Sequence, residues 1–322
     1  MFDLISIGDI KLDAFLSLDR CQDKCDLAGK KMEFQFGEKI SVELLDQQIA
    51  GSAPNVATAL ARLGKKSAVI SHMGKDLTYR LAMEELPKEH VETKFIKALP
   101  GVRSAYSAVL NLQGEKTILA SYIHKPFKLP VPFPQTRWLY LSEMGNSYEH
   151  LFLQLLKLLK KRHISFGFNP GNEQIQDAKP VLFELIAFCK VLFVNVEEGQ
   201  ALVKNRRLGI RALAERLFAL GPSEVVITDG RRGAYGFNGT TLFHCPIFPG
   251  DRIESTGVGD SFSAAYIFAI MSGESQKEAL RWGSANAASV VGKIGPTAGL
   301  LTEKQIRVQL KKNLTIQPEE IV

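Results

Sequence analysis

The segment Glu254-Ser255-Thr256-Gly257-Val258-Gly259-Asp260-Ser261-Phe262 places two glycines and a carboxylate directly ahead of the apolar helical run 264–271. Glycines leading into a helix let several backbone N–H groups converge on one point, and the helix dipole adds positive potential there. That combination is an anion cradle. A carboxylate at its rim repels phosphate, so Asp260 suits such a place only if it takes a proton from a hydroxyl that attacks the phosphate. Taken alone, the segment favours the plainer reading, in which Asp260 caps a helix opened by glycines.

A second stretch, Ala50-Gly51-Ser52-Ala53-Pro54-Asn55, runs into the Ala-rich segment 56–64 and is followed by Gly74. Small residues before a helix admit close backbone approach, and Asn55 in the first turn offers a polyol both a donor and an acceptor. By itself this too is an ordinary loop feeding a packing helix.

Both segments must be held by the elements around them. Short apolar runs alternate with stretches of helical period, the pattern of a parallel sheet with crossover helices. Strands are expected at 4–8, 67–71, 138–141, 164–168, 191–195 and 225–228, and helices at 54–63, 148–160, 175–188 and 210–220. Two insertions break the alternation. Residues 11–45 lack a convincing amphipathic helix, and 102–123 reads as two strands around a Gln113-Gly114 turn. Such insertions commonly form a lid or an accessory sheet over the site at the strand ends, surface decoration being the plainer alternative. No linker divides residues 1–322, and 313–322 is expected to be a loosely held tail.

Composition excludes several classes. The 322 residues are 45% hydrophobic and 23% charged, enough for a sizeable core. Forty Lys and Arg against 34 Asp and Glu give +6, but the basic residues are scattered as pairs such as Lys65-Lys66 and Arg206-Arg207. No basic stripe interleaved with aromatics points to nucleic acid. Cys21 and Cys25 have poor metal-ligand spacing, and with Cys189 and Cys245 they suit a reduced, cytoplasmic chain. Asp3 and Asp9 interrupt any signal-peptide pattern, and no apolar run reaches the roughly 18 residues of a membrane span. His72, His124 and His244 are separated and default to structural or solvent-facing roles.

Together the two glycine-containing segments resemble the signatures of the ribokinase-like (PfkB) family of sugar and nucleoside kinases. The second fits that family's Asp-Thr-x-Gly-Ala-Gly-Asp pattern with Glu254, Ser255 and Val258 as replacements. Asn195-Val196-Glu197-Glu198 resembles its Asn-x-x-Glu motif, and the turn from Thr228 through Gly230 to Gly233 resembles its nucleotide-site turn. Gly8-Asp9-Ile10-Lys11-Leu12-Asp13 is similar to its first strand and turn, with Lys11 where Asn is common.

The resemblance implies an α/β, ribokinase-like three-layer fold: a mostly parallel central sheet flanked by helices, with a small β lid. It implies an ATP-dependent phosphotransferase acting on a hydroxyl of a small sugar or sugar acid. Asp260 would be the general base, and the backbone of Gly257, Val258 and Gly259 would stabilise charge on the phosphoryl group. Asp13, Gly51 and Asn55 would bind the acceptor. Asn195, Glu198, Thr228, Gly230, Gly233 and Asn286 would face the nucleotide, Glu198 holding Mg²⁺ through water. Family members use the carboxylate at Glu254 for a monovalent cation such as K⁺, a site that the longer side chain preserves, shifts or abolishes. Pairing of lid strands between subunits would give a homodimer.

Two alternatives accompany this reading. A nucleoside kinase would need an aromatic wall, for which Phe15, Phe34, Phe36 and Tyr106 are candidates; a silent ligand sensor would keep the fold without the reaction. A phosphosugar acceptor would need cations such as Lys30, Lys31, Arg103 or Lys116, which on surface hairpins are usually solvated. Asn169-Pro170 reads as a simple strand end.

Overall fold

Strands that are apolar on both faces are stable only between two other layers. In the computed structural model, which describes residues 1–18, 34, 36, 37, 39–112 and 115–321, this is how the central strands lie. In chain order the first half contains β1 (Phe2–Ile7), β2 (Lys11–Ser17), β3 (Glu43–Ala50), α1 (Ser52–Arg62), β4 (Ser67–Gly74), α2 (Leu77–Lys88), β5 (Ile96–Leu99), β6 (Ala105–Leu112), β7 (Glu115–Ser121), β8 (Thr136–Leu141) and α3 (Glu149–Leu159). There follow β9 (Ser165–Phe168), α4 (Asn172–Asp177), α5 (Pro180–Ala187), β10 (Val191–Asn195), α6 (Val196–Leu202), α7 (Ile210–Phe218) and β11 (Glu224–Thr228). The chain continues through β12 (Ala234–Phe237), β13 (Leu242–Cys245), α8 (Val258–Met271), α9 (Gln276–Val290), α10 (Glu303–Lys312) and β14 (Glu319–Ile321).

A ten-stranded sheet runs β14-β13-β12-β11-β10-β9-β8-β1-β4-β5. It is parallel from β5 to β11, and β12, β13 and β14 add antiparallel. The pleat sends alternate side chains to opposite faces. Ile5, Ile7, Leu139, Leu141, Leu192 and Val194 pack against α3, α5, α6 and α7. Leu4, Trp138, Tyr140, Val191 and Phe193 pack against α1, α8, α9 and α10. Helix α8 is buried from Asp260 to Ala269, and its alanines 264, 265 and 269 leave room for its neighbours α1 and α9. Gly64, in the left-handed region at φ 83°, ends α1.

The insertions build a second sheet, β3-β2-β6-β7. In it β2 pairs parallel with β6, opposing Asp13 to Ser107, and the β6–β7 hairpin opposes Asn111 to Lys116. Gln113 and Gly114, the expected turn, lie outside the described residues, as do Cys21, Cys25, Lys30 and Lys31.

Two expectations are corrected. The segment 175–188 is not one helix: Ala178 takes a left-handed conformation at φ 47°, and Pro180, whose ring disfavours helical backbone at the residue before it, starts α5. The described part of the expected tail, up to Ile321, is also tied down. Leu242 pairs with Ile321, Arg211 donates to the Ile321 carbonyl, and the buried Arg281 guanidinium donates to the Ile316 carbonyl at 2.8 Å. Backbone hydrogen bonding, invisible in side-chain pattern, holds this segment. No helix among the described residues is long and apolar enough to cross a membrane.

His72 on β4 is buried and stacks on Phe127, ring centroids 4.2 Å apart. Burial pushes its imidazole from 6.5 down to about 4. Between these values the unfolded chain binds a proton that the native protein refuses, so stability falls as pH drops from 6.5 towards 4. The loss reaches roughly 3 kcal/mol at most. His72→Asn should flatten the dependence of Tm on pH across that window. Equal slopes in the two proteins would mean that another group titrates there.

Candidate active site

In an open parallel sheet, ligands sit beyond the carboxyl ends of the strands. Here those ends deliver Gly8 and Asp9 after β1, Glu143 after β8, Asn169 after β9, Asn195 closing β10 and Thr228 closing β11. The start of α8 meets them from one side and the lid from the other.

Gly257 precedes α8 with φ 74°, and a Cβ there would lie 2.4 Å from the Pro296 side chain. Only glycine fits both the backbone and the space. Asp260 follows in the first turn, and its carboxylate points towards α1 rather than into the hydrophobic core. Oδ2 accepts from Asn55 Nδ2 at 2.7 Å, and the Ser52 side chain also hydrogen-bonds the carboxylate. Burial pushes the Asp260 carboxyl above its ordinary value against those hydrogen bonds. Gly51, at φ 117°, carries the chain past Asp9, whose carbonyl oxygen would lie 2.4 Å from any Cβ.

The lid supplies Asp13, also raised by burial, which opposing effects of Lys11 and a hydrogen bond from Ser107 offset in part. Asp13 Oδ1, Asn55 Oδ1 and Glu254 Oε2 are buried acceptors with no protein partner. A buried acceptor left alone costs about 1–3 kcal/mol, so all three call for a donor from beyond the protein.

On the other side of the α8 start, a cavity of about 190 Å³ is lined by Thr228, Gly230 and Gly233 together with Val258, Gly259, Phe248, Ser284, Ala287 and Val291. It gathers residues from motifs some thirty positions apart in sequence into one apolar slot. Asn286 does not line it. Its side chain is fully buried, donating to the Ser261 carbonyl at 2.9 Å and accepting from Leu301 N–H at 3.0 Å, so it braces α8 from behind.

Asn195 and Glu198 form a reciprocal cap on α6: Asn195 Oδ1 accepts from Glu198 N–H and Glu198 Oε2 from Asn195 N–H. Burial pushes the Glu198 carboxyl up to about 7, and Glu143 adds repulsion. Asn169 is more than a strand end, since Nδ2 donates to the Phe193 carbonyl at 2.9 Å and its side chain also hydrogen-bonds Glu198.

Three residues gain a place that sequence reasoning did not give them. Glu143 ion-pairs with Lys11 at 2.8 Å, and Lys11 also lies 4.9 Å from the Tyr122 ring centre. Burial alone would lower the Lys11 ammonium, but Glu143 outweighs it and holds it above its ordinary value. Lys116, taken as a solvated hairpin cation, turns inward: Nζ donates to Thr256 Oγ1 at 3.2 Å and lies 3.8 Å from Glu254 Oε1. Burial pushes its ammonium down against the pull of Glu254 and Asp260. Arg103 is exposed, as expected. Of the four candidates for an aromatic wall, Phe15 is fully buried, whereas Phe34, Phe36 and Tyr106 are exposed. Tyr122 is the aromatic that faces the cleft near Lys11.

The model of the pfkB family carbohydrate kinases matches residues 16–303. The chain is 23% identical over 309 residues to a cytidine kinase of Thermococcus kodakarensis, covering 92% of this chain and 98% of that one. It is 23% identical over 261 residues to the Bacillus subtilis ribokinase, covering 80% and 85%. Among solved structures, Arabidopsis thaliana ribokinase complexed with ribose and ATP superposes with a TM-score of 0.79 at 20% identity, covering 96% and 99%. Methanocaldococcus jannaschii nucleoside kinase gives 0.76 at 19%, covering 97% and 99%. The fold is the ribokinase fold, and with its family model matched over most of its length the chain belongs to the pfkB family of carbohydrate kinases.

Proposed function

We propose that the protein transfers the γ-phosphoryl group of ATP to a hydroxyl of a small, uncharged polyol, a free sugar foremost. The observation that carries this reading is the buried Asp260 carboxylate at the mouth of the Gly257–Gly259 turn, with Asn55 and Ser52 fixing its orientation. Asp260 takes the hydroxyl proton. The backbone N–H groups of Gly257, Val258 and Gly259 neutralise charge on the phosphoryl group as it moves. Asp13 Oδ1 and Asn55 Oδ1, both without protein partners, accept hydrogen bonds from hydroxyls of the acceptor, with Gly51 allowing it close.

The nucleotide would lie in the slot bounded by Thr228, Gly230 and Gly233. Asn286 holds the slot's wall rather than touching the base. The donor set near Glu198 suits Mg²⁺: all oxygen, with Glu143 and Glu198 repelling each other until a cation arrives. No group of three or more His, Cys, Asp or Glu ligands converges among the described residues, so Asn195 and Glu198 would hold a largely hydrated ion. Bound there, Mg²⁺ supplies charge neutralisation to the phosphates. Glu254 Oε2, buried and unpartnered, is a fitting donor for a monovalent cation such as K⁺.

An uncharged acceptor is favoured because Lys11 is committed to Glu143 and Lys116 reaches the turn before α8, which leaves the acceptor side to Asp13 and Asn55, both suited to hydroxyls. One observation favours a nucleoside instead: Ile118, Tyr122 and Met144 line a further cavity of about 250 Å³ beside Glu143, with room for a base. The outer lid face, carrying Leu44, Tyr106 and Leu119, supports a homodimer through the lid.

A coupled ADP-release screen of free sugars, sugar acids, phosphosugars and nucleosides, with Mg²⁺ and with or without K⁺, tests the proposal. We expect a free sugar to turn over at about 1–100 s⁻¹. Its kcat/KM should exceed that of any phosphosugar at least about tenfold, a difference of roughly 1.4 kcal/mol. A nucleoside as best acceptor would establish the second reading, and no ADP release with any acceptor would leave a silent sensor.

A further inference from the structure

Lys116 belongs to the inner face of the lid sheet. Its register partner Asn111 and Ser107 on β6, and Asp13 one strand further on β2, share that face. Its ammonium crosses to the turn before α8, where Thr256 Oγ1 accepts its hydrogen bond at 3.2 Å while itself donating to Glu254 Oε1 at 2.6 Å. The carboxylates around it come from every element packed there: Glu254 before α8, Asp260 on α8, Asp13 on β2 and Glu143 after β8. Of these, Glu254 approaches the ammonium with Oε1 at 3.8 Å, beyond hydrogen-bond length. Lys11, the other lysine on the inner face, is fully engaged at 2.8 Å by Glu143. The lid thus brings one loosely held cation to the rim of an anion-binding turn, and a phosphoryl group arriving on that turn would outcompete a hydroxyl for it.

We propose that Lys116 is a catalytic residue that contacts the phosphoryl group in transit from the side opposite the Gly257–Gly259 amides. This inference rests on the kinase reading above. The ammonium forms no covalent bond and keeps its protons; the O–P bonds are made and broken between ATP and the acceptor, and the hydroxyl proton goes to Asp260. Because the charge is mounted on the lid, it reaches full effect only when the lid is down, which ties transfer to a filled acceptor site and works against water as acceptor.

The test compares wild type, Lys116→Met and Lys116→Arg in two measurements. By calorimetry, Lys116→Met should bind ADP with Mg²⁺ within about twofold of wild type but lose at least about tenfold in affinity for ADP, Mg²⁺ and aluminium fluoride, which mimics the phosphoryl group in flight. In turnover, it should lose about 100-fold in kcat with the acceptor KM within about threefold, and Lys116→Arg should recover part of that loss. Unchanged melting temperatures separate these effects from damage to the lid. Equal aluminium fluoride affinity in Lys116→Met and wild type would overturn the inference. So would a defect confined to acceptor KM, which would put Lys116 on the acceptor instead. A wild-type protein that binds no ADP would overturn the kinase reading and this inference with it.

Discussion

Asp260→Asn should lower turnover by about 10²–10⁴-fold while leaving nucleotide affinity within roughly threefold. The substitution keeps the shape and the means to satisfy both neighbours: an amide oxygen can accept from Asn55 Nδ2 as Oδ2 does at 2.7 Å, and an amide N–H can donate to the Ser52 hydroxyl. What is lost is the capacity to take a proton. Asp260 does not line the slot that holds Thr228, Gly230 and Gly233, so ATP binding has no reason to suffer. Steady-state kinetics with calorimetric ADP binding measures both quantities. Near-normal turnover would remove Asp260 from the base role and leave it as a tie between α8 and α1. The wild-type pH profile offers a second check. Burial raises the Asp260 carboxyl, the base works only when ionised, and activity should therefore fade on acidification at a pH above the ordinary aspartate range.

Gly257→Ala should cost about 1–3 kcal/mol of stability and at least about 100-fold in kcat/KM for ATP. Left-handed backbone at φ 74° already disfavours alanine, and the added methyl would meet Pro296 Cβ at 2.4 Å and Cα at 2.7 Å. Pro296 Cα is backbone, so relief requires one of two main-chain segments to move. Either movement re-aims the N–H groups that converge at the α8 start. Gly259→Ala is the control. It lies within α8 with no atom near the position of a new Cβ, so its melting temperature should match or exceed that of wild type, helix propensity contributing up to about 1 kcal/mol. Equal stability in the two variants would mean that the turn yields more freely than its geometry implies. Equal kcat/KM for ATP in Gly257→Ala and wild type would show that the amides at this turn do not act on the phosphoryl group.

The fold was legible because its central strands are apolar on both faces and its helices on one, a contrast strong enough to survive without any partner in view. Strand 191–195 and the glycines around Asp260 are local signals, each interpretable from a few neighbours. Ala178 was not legible, since alanine favours helix and only the following Pro180 hinted at a break. The site was half legible. Gly257 and Gly51 announce backbone constraints by residue type, whereas Lys116 and Glu143 act through where their side chains go. Lys116 sits 140 residues from Thr256 in sequence, and nothing along the chain relates a hairpin lysine to that hydroxyl. Glu143 carried a weaker clue: it comes just after a buried strand, at the end where a parallel sheet places its ligands. Asn286 shows the opposite failure, because a buried amide that bridges two backbone segments has the same letter as one that touches a base.

The parallel pairing of β2 with β6 sets a schedule for assembly. Lys11 faces Ala105 across that ladder, so closing it gathers a long loop of chain, and the entropy of that closure must be met before the pair returns any stabilisation. β1 must itself await β8 on one flank. Asp13 and Lys116 therefore share one face only once β6 has closed onto β2, so the roof of the cleft depends on a non-local pairing and not on the β6–β7 hairpin alone.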